Sequence, residues 1–290
     1  MLQTTVAAAE PYVPPRPRTK VIGRVLVYAV LVAVALLYFV PFLFTVTTSF
    51  KTLPQSAYFN IIPHPFTTAA WKSVWTDYDF KRYALNSAFL AVTVTLINLF
   101  LASLGGYAFA RLRFPGREVL FLLVLGTLMI PDQLRLIPVF VMLTKWHLIG
   151  NFSGYILINM VTAVNLFFMR QYFLTIPKDF EEAAKLDGAG YFKTFWRVML
   201  PLALPAMSAL VILQFQGTWN DFFWPVILFG QGDPSHYTIQ LGLQTFFSQY
   251  STDVPAVMVG SILAIVPVLV IFLAFQRYFV SGVVSSGVKG

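Results

Sequence analysis

The sequence predicts an all-α polytopic membrane protein with six transmembrane helices and both termini in the cytoplasm, and three observations lead to this fold class. Hydrophobic residues make up 58% of the 290 positions and charged residues only 11%, whereas an average soluble domain is ~45–50% apolar and ~25% charged. Five uncharged runs are each long enough to cross ~30 Å of hydrocarbon as a helix. Lys and Arg cluster at alternate junctions between the runs, as the positive-inside rule requires. The composition excludes an ordinary soluble enzyme and a disordered chain.

The predicted spans follow from the uncharged runs taken in chain order. The five clear runs are residues 25–50, 83–110, 148–169, 198–220 and 254–276. A weaker run begins at Val119, is interrupted by Asp132 and Arg135, and resumes over residues 136–144. The basic clusters at 111–117 and 170–197 both belong in the cytoplasm, so the chain must cross the membrane twice between them. The interrupted run is therefore expected to be the third of six spans.

The spans divide the chain into five predicted segments. Residues 1–20 form a flexible cytoplasmic tail, because the prolines between positions 11 and 17 block a helix. Residues 21–50 form the first transmembrane helix. Residues 51–82 form an extracytoplasmic connection, whose aromatic side chains either pack within the loop or lie at the membrane interface. Residues 83–276 form a five-helix core that includes a cytoplasmic segment at 176–201, and residues 277–290 form a cytoplasmic tail.

The sequence carries none of the residue groups that catalysis or metal binding would need. It has no cysteine, and it contains no phosphate-binding loop, HExxH or Gly-x-Ser-x-Gly motif. His64, His147 and His236 are far apart in sequence, so no metal site is expected from them. We expect no catalytic residue, metal or cofactor on this chain, and no nucleic-acid partner despite the net charge of +8. Uphill transport would draw its energy from an ion gradient or from a partner.

The segment 176–201 is the most informative cytoplasmic stretch, and it predicts two short helices joined by a glycine turn. Pro177 suits the first turn of a helix, and the acidic residues that follow it are favourable near the positive end of the helix dipole. Gly188 can adopt the left-handed conformation that ends a helix. A second helix is predicted to carry one apolar stripe formed by Phe192, Phe195, Trp196 and Met199.

The residues of the first of these helices permit two interpretations. Ala183 and Ala184 leave a small, smooth surface, and Glu182 beside them can accept a charge-assisted hydrogen bond from an arginine of a partner. In that interpretation the helix fits a groove on another protein. In the other, it is a solvated amphipathic connection that lies on the membrane.

The spacing of the segment resembles the EAA motif of ATP-binding-cassette importer permeases. Glu182-Ala183-Ala184 is followed after three residues by Gly188 and, after nine more, by Val198-x-Leu200-Pro201, where the family pattern is EAA-x3-G-x9-I-x-L-P. Val198 replaces the usual isoleucine. Other stretches resemble the carbohydrate-uptake group, and within it the second permease of maltose-type and glycerol-phosphate-type importers. These stretches are residues 49–52 (SFKT), 107–117 (YAFARLRFPGR), 219–225 (WNDFFWP), 276–280 (QRYFV) and 287–290 (GVKG).

The resemblance implies a type I importer, in which five core spans form half of a translocation path and a sister permease forms the other half. It also implies a dimer of cytoplasmic ATPases that use ATP and Mg, an extracytoplasmic solute-binding protein, and a place in the inner membrane, surrounded by lipid. The residues that it assigns to ATPase coupling are Glu182, Ala183, Ala184, Asp187, Gly188, Leu200 and Pro201. The tail residues that it places between the ATPases are Val288, Lys289 and Gly290.

Polar side chains within the spans are the candidates for contact with a solute, because polar groups in a membrane usually face the bundle interior. Amides suit neutral hydroxyl groups, and aromatic faces suit the C–H surfaces of sugars. The candidates are Asn98, Asn159, Asn165, Gln214, Gln216, Trp219 and Asp221. The alternative is that the amides bond one helix to another, and that Asp221 lies in headgroup water at the outer end of the fifth span.

Asp132 and Arg135 have two expected positions. If Pro131 ends the third span, both side chains lie at the outer surface. If the helix continues to Thr144, they pair within the membrane or line the path. Because a cation on the path is compatible with an anionic solute, an anionic substrate remains an alternative.

The functional prediction is a permease subunit of an ATP-driven importer for a sugar, namely a disaccharide, an oligosaccharide or a polyol. One alternative is the same machine importing glycerol 3-phosphate or a glycerophosphodiester. A more remote alternative is an ion-coupled secondary transporter, which usually has more spans or inverted repeats, with buried carboxylates or broken helices.

Overall fold

The computed structural model describes the backbone of residues 18–247 and 252–287, and the side chains of residues 23–247 and 252–276. The three tail residues predicted to reach the ATPases, 288–290, lie outside the described residues. Within the described ranges the chain is almost entirely helical, and the one β-bridge joins Phe247 to Thr252. The all-α fold class is therefore confirmed.

The described part of the chain contains a succession of α-helices of very different lengths. They are α1 (Arg18–Thr48), α2 (Leu53–Ser56), α3 (Ala69–Thr76), α4 (Phe80–Arg111), α5 (Arg117–Gly126), α6 (Asp132–Lys145), α7 (Phe152–Asn159), α8 (Ala163–Thr175), α9 (Asp179–Leu186), α10 (Tyr191–Thr194), α11 (Leu200–Leu202), α12 (Leu204–Trp219), α13 (Phe223–Phe229), α14 (Ile239–Gly242) and α15 (Val254–Gly287).

Six apolar spans are present in the described chain when each bent pair of helices counts as one. Three are single helices, within α1, α4 and α15. The other three are bent, by 104° between Arg117–Met129 and α6, by 42° between α7 and α8, and by 74° between Tyr191–Leu202 and α12. The six-span prediction is confirmed in this form, and the even number places the two ends of the described chain on the same side.

The bends correct the expectation of continuous helices through the third, fourth and fifth uncharged runs. Proline accounts for two of them. Pro131 disfavours helical backbone at the preceding residue, so α6 starts afresh at Asp132. Pro201 and Pro205 each lie in the first turn of a helix, where their missing N–H group costs no hydrogen bond. The break at residues 160–162 contains no proline, and hydropathy gave no sign of it.

Helix α4 lies at the centre of the bundle and packs against both α8 and α12, while α12 also packs against α15. One buried cluster lies at the start of α4 and includes Phe80, Tyr83 and Trp219. Another lies near its end and includes Tyr107 and Phe173. Helix α4 therefore contributes buried side chains to both clusters.

Helix α1 lies at the edge of the bundle and is covered by the rest of the chain only near its end. Its large apolar side chains between Val25 and Leu43 are 40–79% exposed. A surface of that size and hydrophobicity is unstable in water, which agrees with a membrane-spanning helix.

The connection after α1 is held by aromatic packing within the loop. Trp71 stacks on Phe50 and donates an indole hydrogen bond of 3.2 Å to Ser49. Tyr78 meets the ring of Phe246 edge-on. Of the two expectations for these aromatics, loop packing describes Trp71 and Tyr78, whereas Trp75 is half-exposed.

Candidate transport pocket and cytoplasmic coupling segment

A pocket of about 950 Å³ opens where the helices break. Its walls come from residues 127–135 around the α5–α6 bend, 157–164 around the α7–α8 bend, and 213–224 at the junction of α12 and α13. Irregular backbone is tolerated at membrane depth only where it is buried in protein or lines a cavity, so breaks that converge on one pocket indicate a polar path. Three of the predicted solute contacts line it: Asn159, Gln214 and Asp221.

Asp221 is half-buried in the wall of the pocket, where two other elements donate hydrogen bonds to its carboxylate. One carboxylate oxygen accepts a 2.8 Å hydrogen bond from the hydroxyl of Tyr155 on α7. The other accepts a bond of 3.3 Å from the backbone N–H of Trp224, near the start of α13. Hydropathy cannot find the contact with Tyr155, because this partner lies 66 residues away in the chain.

Asp132 and Arg135 combine features of the two positions that the sequence left open. The helix does break at Pro131, and both side chains are half-exposed. They nevertheless pair with each other over one helical turn and line the pocket. The guanidinium of Arg135 therefore already has an acidic partner.

Asn98 and Asn165 lie behind the pocket wall and join helices to one another. Asn98 on α4 is fully buried, and its carbonyl oxygen accepts a 2.7 Å hydrogen bond from the amide of Asn165 on α8. The same amide group donates 2.8 Å to Gln214 on α12. These three amides connect three helices, which agrees with the alternative that amides within the spans bond one helix to another. Of the three, only Gln214 also faces the pocket.

The remaining two candidates lie elsewhere. Trp219 is buried in the core, where its indole N–H donates a 2.9 Å hydrogen bond to the carbonyl of Ala264 on α15. Its ring stacks on Phe215. Gln216 is exposed on a different face of α12 from Gln214 and is not among the residues that line the pocket.

Helix α9 forms the first half of the predicted coupling segment and turns one face inward. Residues three positions apart share a face of a helix, so Glu181 and Ala184 point toward the bundle, and Ala184 is only 8% exposed. Glu182 and Ala183 lie on the exposed face. The expectation that both alanines form the outer surface is therefore wrong for Ala184. Leu186, which the sequence analysis did not single out, is 90% exposed on the same outer face.

The glycine turn after α9 has the predicted conformation. Gly188 has a φ of +72°, and no atom lies within 4 Å of the position that its Cβ would occupy. Asp187 is the C-cap residue of α9. The N–H group of Ala189 then bonds to the carbonyl of Ala184 at 2.9 Å, which closes the helix end. Pro177 lies just before the N-cap residue Lys178 and not in the first turn.

The second half of the segment contains a π-helical turn, Phe195–Met199, that the sequence analysis missed. The wider turn changes which residues share a face. Phe195 and Met199 are buried, whereas Phe192 is 71% exposed and Trp196 41%. The predicted single stripe is therefore divided between two faces. Leu200 packs beside the buried pair, and Pro201 is exposed.

Sequence reasoning missed the role of Arg111 at this end of the bundle. It was counted only as one of the cytoplasmic cations. Its side chain is 6% exposed and lies against Glu181 of α9. Arg111 lies within the 107–117 stretch, but a hydropathy profile cannot distinguish a buried arginine from a solvated one.

Residues 99–285 match the family described as "Binding-protein-dependent transport system inner membrane component". The match covers more than half of the chain, including the pocket-lining breaks and all of α9. The chain belongs to this family. A binding-protein-dependent permease is a transport component, and the chain is accordingly a multi-pass membrane protein that works with a binding protein.

Similar proteins agree with this membership, and one solved structure has a similar fold. The chain is 39% identical over 209 residues to the arabinooligosaccharides transport system permease protein AraQ of Bacillus subtilis, covering 72% of this chain and 74% of AraQ. It is 32% identical over 266 residues to the diacetylchitobiose uptake system permease protein NgcG of Streptomyces coelicolor, covering 90% and 87%. In fold it matches a chain of a bacterial transporter that imports the acidic polysaccharide alginate, with a TM-score of 0.81 at 24% identity, covering 92% of this chain and 100% of that one.

The described residues of this permease form no group of three or more His, Cys, Asp or Glu side chains that could hold a metal ion. The three histidines do not meet. His236 packs against the ring of Phe152, and His147 lies in the turn after α6 with a φ of 55°. The charged residues of the pocket wall are Asp132, Arg135 and Asp221.

Proposed function

We propose that this chain is one permease subunit of an ATP-driven importer that moves a neutral saccharide or polyol across the cytoplasmic membrane. A sister permease would complete the path, two partner ATPases would use ATP and Mg, and an extracytoplasmic binding protein would deliver the solute. This chain would have no ATPase site of its own. The proposal rests on the outward face of α9, an eight-residue helix. This face holds a carboxylate, a small residue and an exposed leucine.

The outward face of α9 has the chemistry of a docking surface. Ala183 lets another backbone approach closely, and Glu182 beside it is an exposed acceptor for a charge-assisted hydrogen bond. Leu186 adds an apolar side chain that water covers in the isolated chain. When the partner ATPases close on ATP, two such helices move together and switch the bundle between two discrete arrangements.

The pocket wall supports a neutral solute over an anion. Arg135 is paired with Asp132, so the charges in the wall leave one uncompensated carboxylate, Asp221. A phosphate or uronate group would meet like charge there. Asn159 and Gln214 offer donors and acceptors of the kind that hydroxyl groups need. The relatives AraQ and NgcG, whose names give oligosaccharide substrates, agree with this preference.

The test is ATP hydrolysis by the complex that copurifies with this chain, reconstituted in lipid with its binding protein. We expect stimulation by one member of a panel of neutral oligosaccharides, disaccharides and polyols. Stimulation only by glycerol 3-phosphate or a glycerophosphodiester would agree with an ATP-driven importer but would contradict a neutral substrate. Transport driven by an ion gradient, with no copurifying ATPase, would contradict the assignment to an ATP-driven importer.

Two substitutions in the same assay address α9. Glu182→Arg reverses the docking charge, and Gly188→Pro demands a φ near −65° where the chain has +72°. Both are expected to uncouple transport from ATP hydrolysis while the membrane fold stays intact. Normal transport by both variants would show that α9 does not dock.

A further inference from the structure

A buried arginine at the end of α4 joins three elements of the fold. The guanidinium of Arg111 donates hydrogen bonds to the carbonyl groups of Phe173 and Ile176, where α8 ends. Its Nε atom lies 3.3 Å from a carboxylate oxygen of Glu181, in the first turn of α9. The two charged side chains are only 6% and 12% exposed. One side chain thus contacts the end of α4, the end of α8 and the start of α9.

Besides this pair, helix α9 contacts the turn at Phe195–Met199 and helix α10. Ala184 is its one buried residue, and its large apolar side chains, Phe180 and Leu186, are 46% and 90% exposed. The link from α8 to α9 is only residues 176–178 long. The position of α9 relative to the bundle therefore depends on this short link, on packing beside the Phe195–Met199 turn, and on the pair formed by Arg111 and Glu181.

Stability alone is a weak reason for a buried ion pair in this place. The cost of removing both charges from water offsets most of their attraction, and apolar residues of similar size often do as well. The planar fork of an arginine does something that apolar contacts do not, because it fixes both distance and direction to its acceptors. The hydrogen bonds of the fork fix Arg111 against the end of α8, and its charge contact with Glu181 opposes a displacement of α9 away from that point.

We infer that Arg111 is the positioning residue through which a displacement of α9 reaches α4 and α8. Motion of the partner ATPases would then pass from α9 through Glu181 and Arg111 into two of the helices whose amides, Asn98 and Asn165, support the pocket wall. This inference rests on the proposed function. Arg111 itself is too buried to contact an ATPase and lies outside the pocket, so it acts through the elements it joins.

The absence of cysteine from the chain allows a single reporter to test the inference. Val161→Cys places a thiol on the pocket wall, at a side chain that is 42% exposed. In the complete complex in lipid, the rate at which a charged maleimide labels this thiol is measured without nucleotide and with ATP and vanadate. The proposed function predicts that nucleotide changes this rate.

We expect Glu181→Gln and Arg111→Lys each to reduce the nucleotide-dependent change in labelling rate about tenfold, while the copurifying ATPase still hydrolyses ATP. Because Glu181 acts only through Arg111 in this inference, the double variant should be no worse than Arg111→Lys alone. Arg113→Lys and Asp179→Asn are matched controls at exposed positions near the pair, and both should keep the full response.

A full nucleotide response in both Glu181→Gln and Arg111→Lys would overturn the inference. Should Arg111→Lys fail to assemble, Glu181→Gln decides, since it keeps the size of the side chain and removes only its charge. A failure of the proposed function looks different. In that case the unsubstituted reporter complex shows no nucleotide response, and Glu182→Arg changes nothing.

Discussion

The backbone of Gly106 on α4 lies directly against Met169 on α8, so that a Cβ atom added to Gly106 would lie 2.6 Å from the Cβ atom of Met169. The same added atom would lie 2.8 Å from the backbone nitrogen of Arg170. Small residues allow helices in a membrane to approach this closely. The contact lies between the pocket and Arg111, so the spacing of α4 and α8 affects both.

Gly106→Ala is expected to destabilise the bundle by about 1–3 kcal/mol, because the neighbouring atoms are backbone and Cβ atoms that cannot rotate away. Thermal unfolding of the purified complex in detergent measures the effect. Gly126→Ala is the matched control, since Gly126 is also helical and nothing lies within 4 Å of its added Cβ. Equal unfolding temperatures for the two variants would contradict the close packing of α4 and α8.

Asp221→Asn is expected to weaken the exclusion of anions from the pocket. The amide oxygen of Asn can still accept the hydrogen bond from the N–H of Trp224, so the start of α13 keeps its support, while the wall loses its uncompensated charge. Stimulation of ATP hydrolysis by anionic solutes, relative to neutral ones, should rise about tenfold. An unchanged ratio would mean that Asp221 acts only as a helix cap.

Tyr155→Phe separates the two functions of Asp221 further. This substitution removes the 2.8 Å hydrogen bond to the carboxylate and leaves the charge in place. A buried hydrogen bond to a charged group contributes about 1.5–3 kcal/mol, so the variant should unfold at a lower temperature than the unsubstituted complex. Its preference for neutral over anionic solutes should persist, and a loss of that preference would assign the selectivity to Tyr155.

The number of spans and the position of α9 could be predicted because each rests on local sequence. Uncharged runs of sufficient length identify spans, and the left-handed turn at Gly188 follows from the freedom of glycine at positive φ. The breaks within the spans depend on which backbone groups find partners in other helices. Pro131 indicated the break before α6, whereas nothing in the local sequence indicated the break at residues 160–162.

The individual site residues were harder to predict, because a polar residue in a span has two uses. Asn98 and Gln214 are both amides in uncharged runs, yet one joins helices and the other faces the pocket. Only the rotation of each helix decides between these uses. Arg111 was missed for a similar reason, since its partner Glu181 lies on another element and its burial depends on how α9 folds back.

Gly188→Ala is expected to loosen the coupling segment and leave the bundle unchanged. A residue with a Cβ atom pays roughly 1–2 kcal/mol to adopt the left-handed conformation, so the end of α9 would fray. The amount of solute moved per ATP should fall, while the unfolding temperature of the complex stays the same. Gly190→Ala is the control, because Gly190 has a φ of −74° and open space around its Cβ position.

Lys51→Met is expected to stabilise the protein. Lys51 is 1% exposed, and among the described residues its amine has no hydrogen-bond partner, with only the ring of Phe44 at 4.8 Å. Burial lowers the pKa of Lys51 from its ordinary value of 10.5. Between the lowered pKa and 10.5 the unfolded chain binds more protons than the folded one, so the stability of the unsubstituted protein rises with pH in that window.

The advantage of Lys51→Met in unfolding temperature should therefore be largest at neutral pH and should shrink as the pH approaches 10.5. Thermal unfolding of the complex across that pH range measures it. Lys72→Met is the matched control, because Lys72 is an exposed lysine of the same connection and its replacement should change the unfolding temperature little at any pH. A Lys51→Met protein that unfolds at a lower temperature than the unsubstituted one at neutral pH would mean that the amine makes a stabilising contact in the assembled complex.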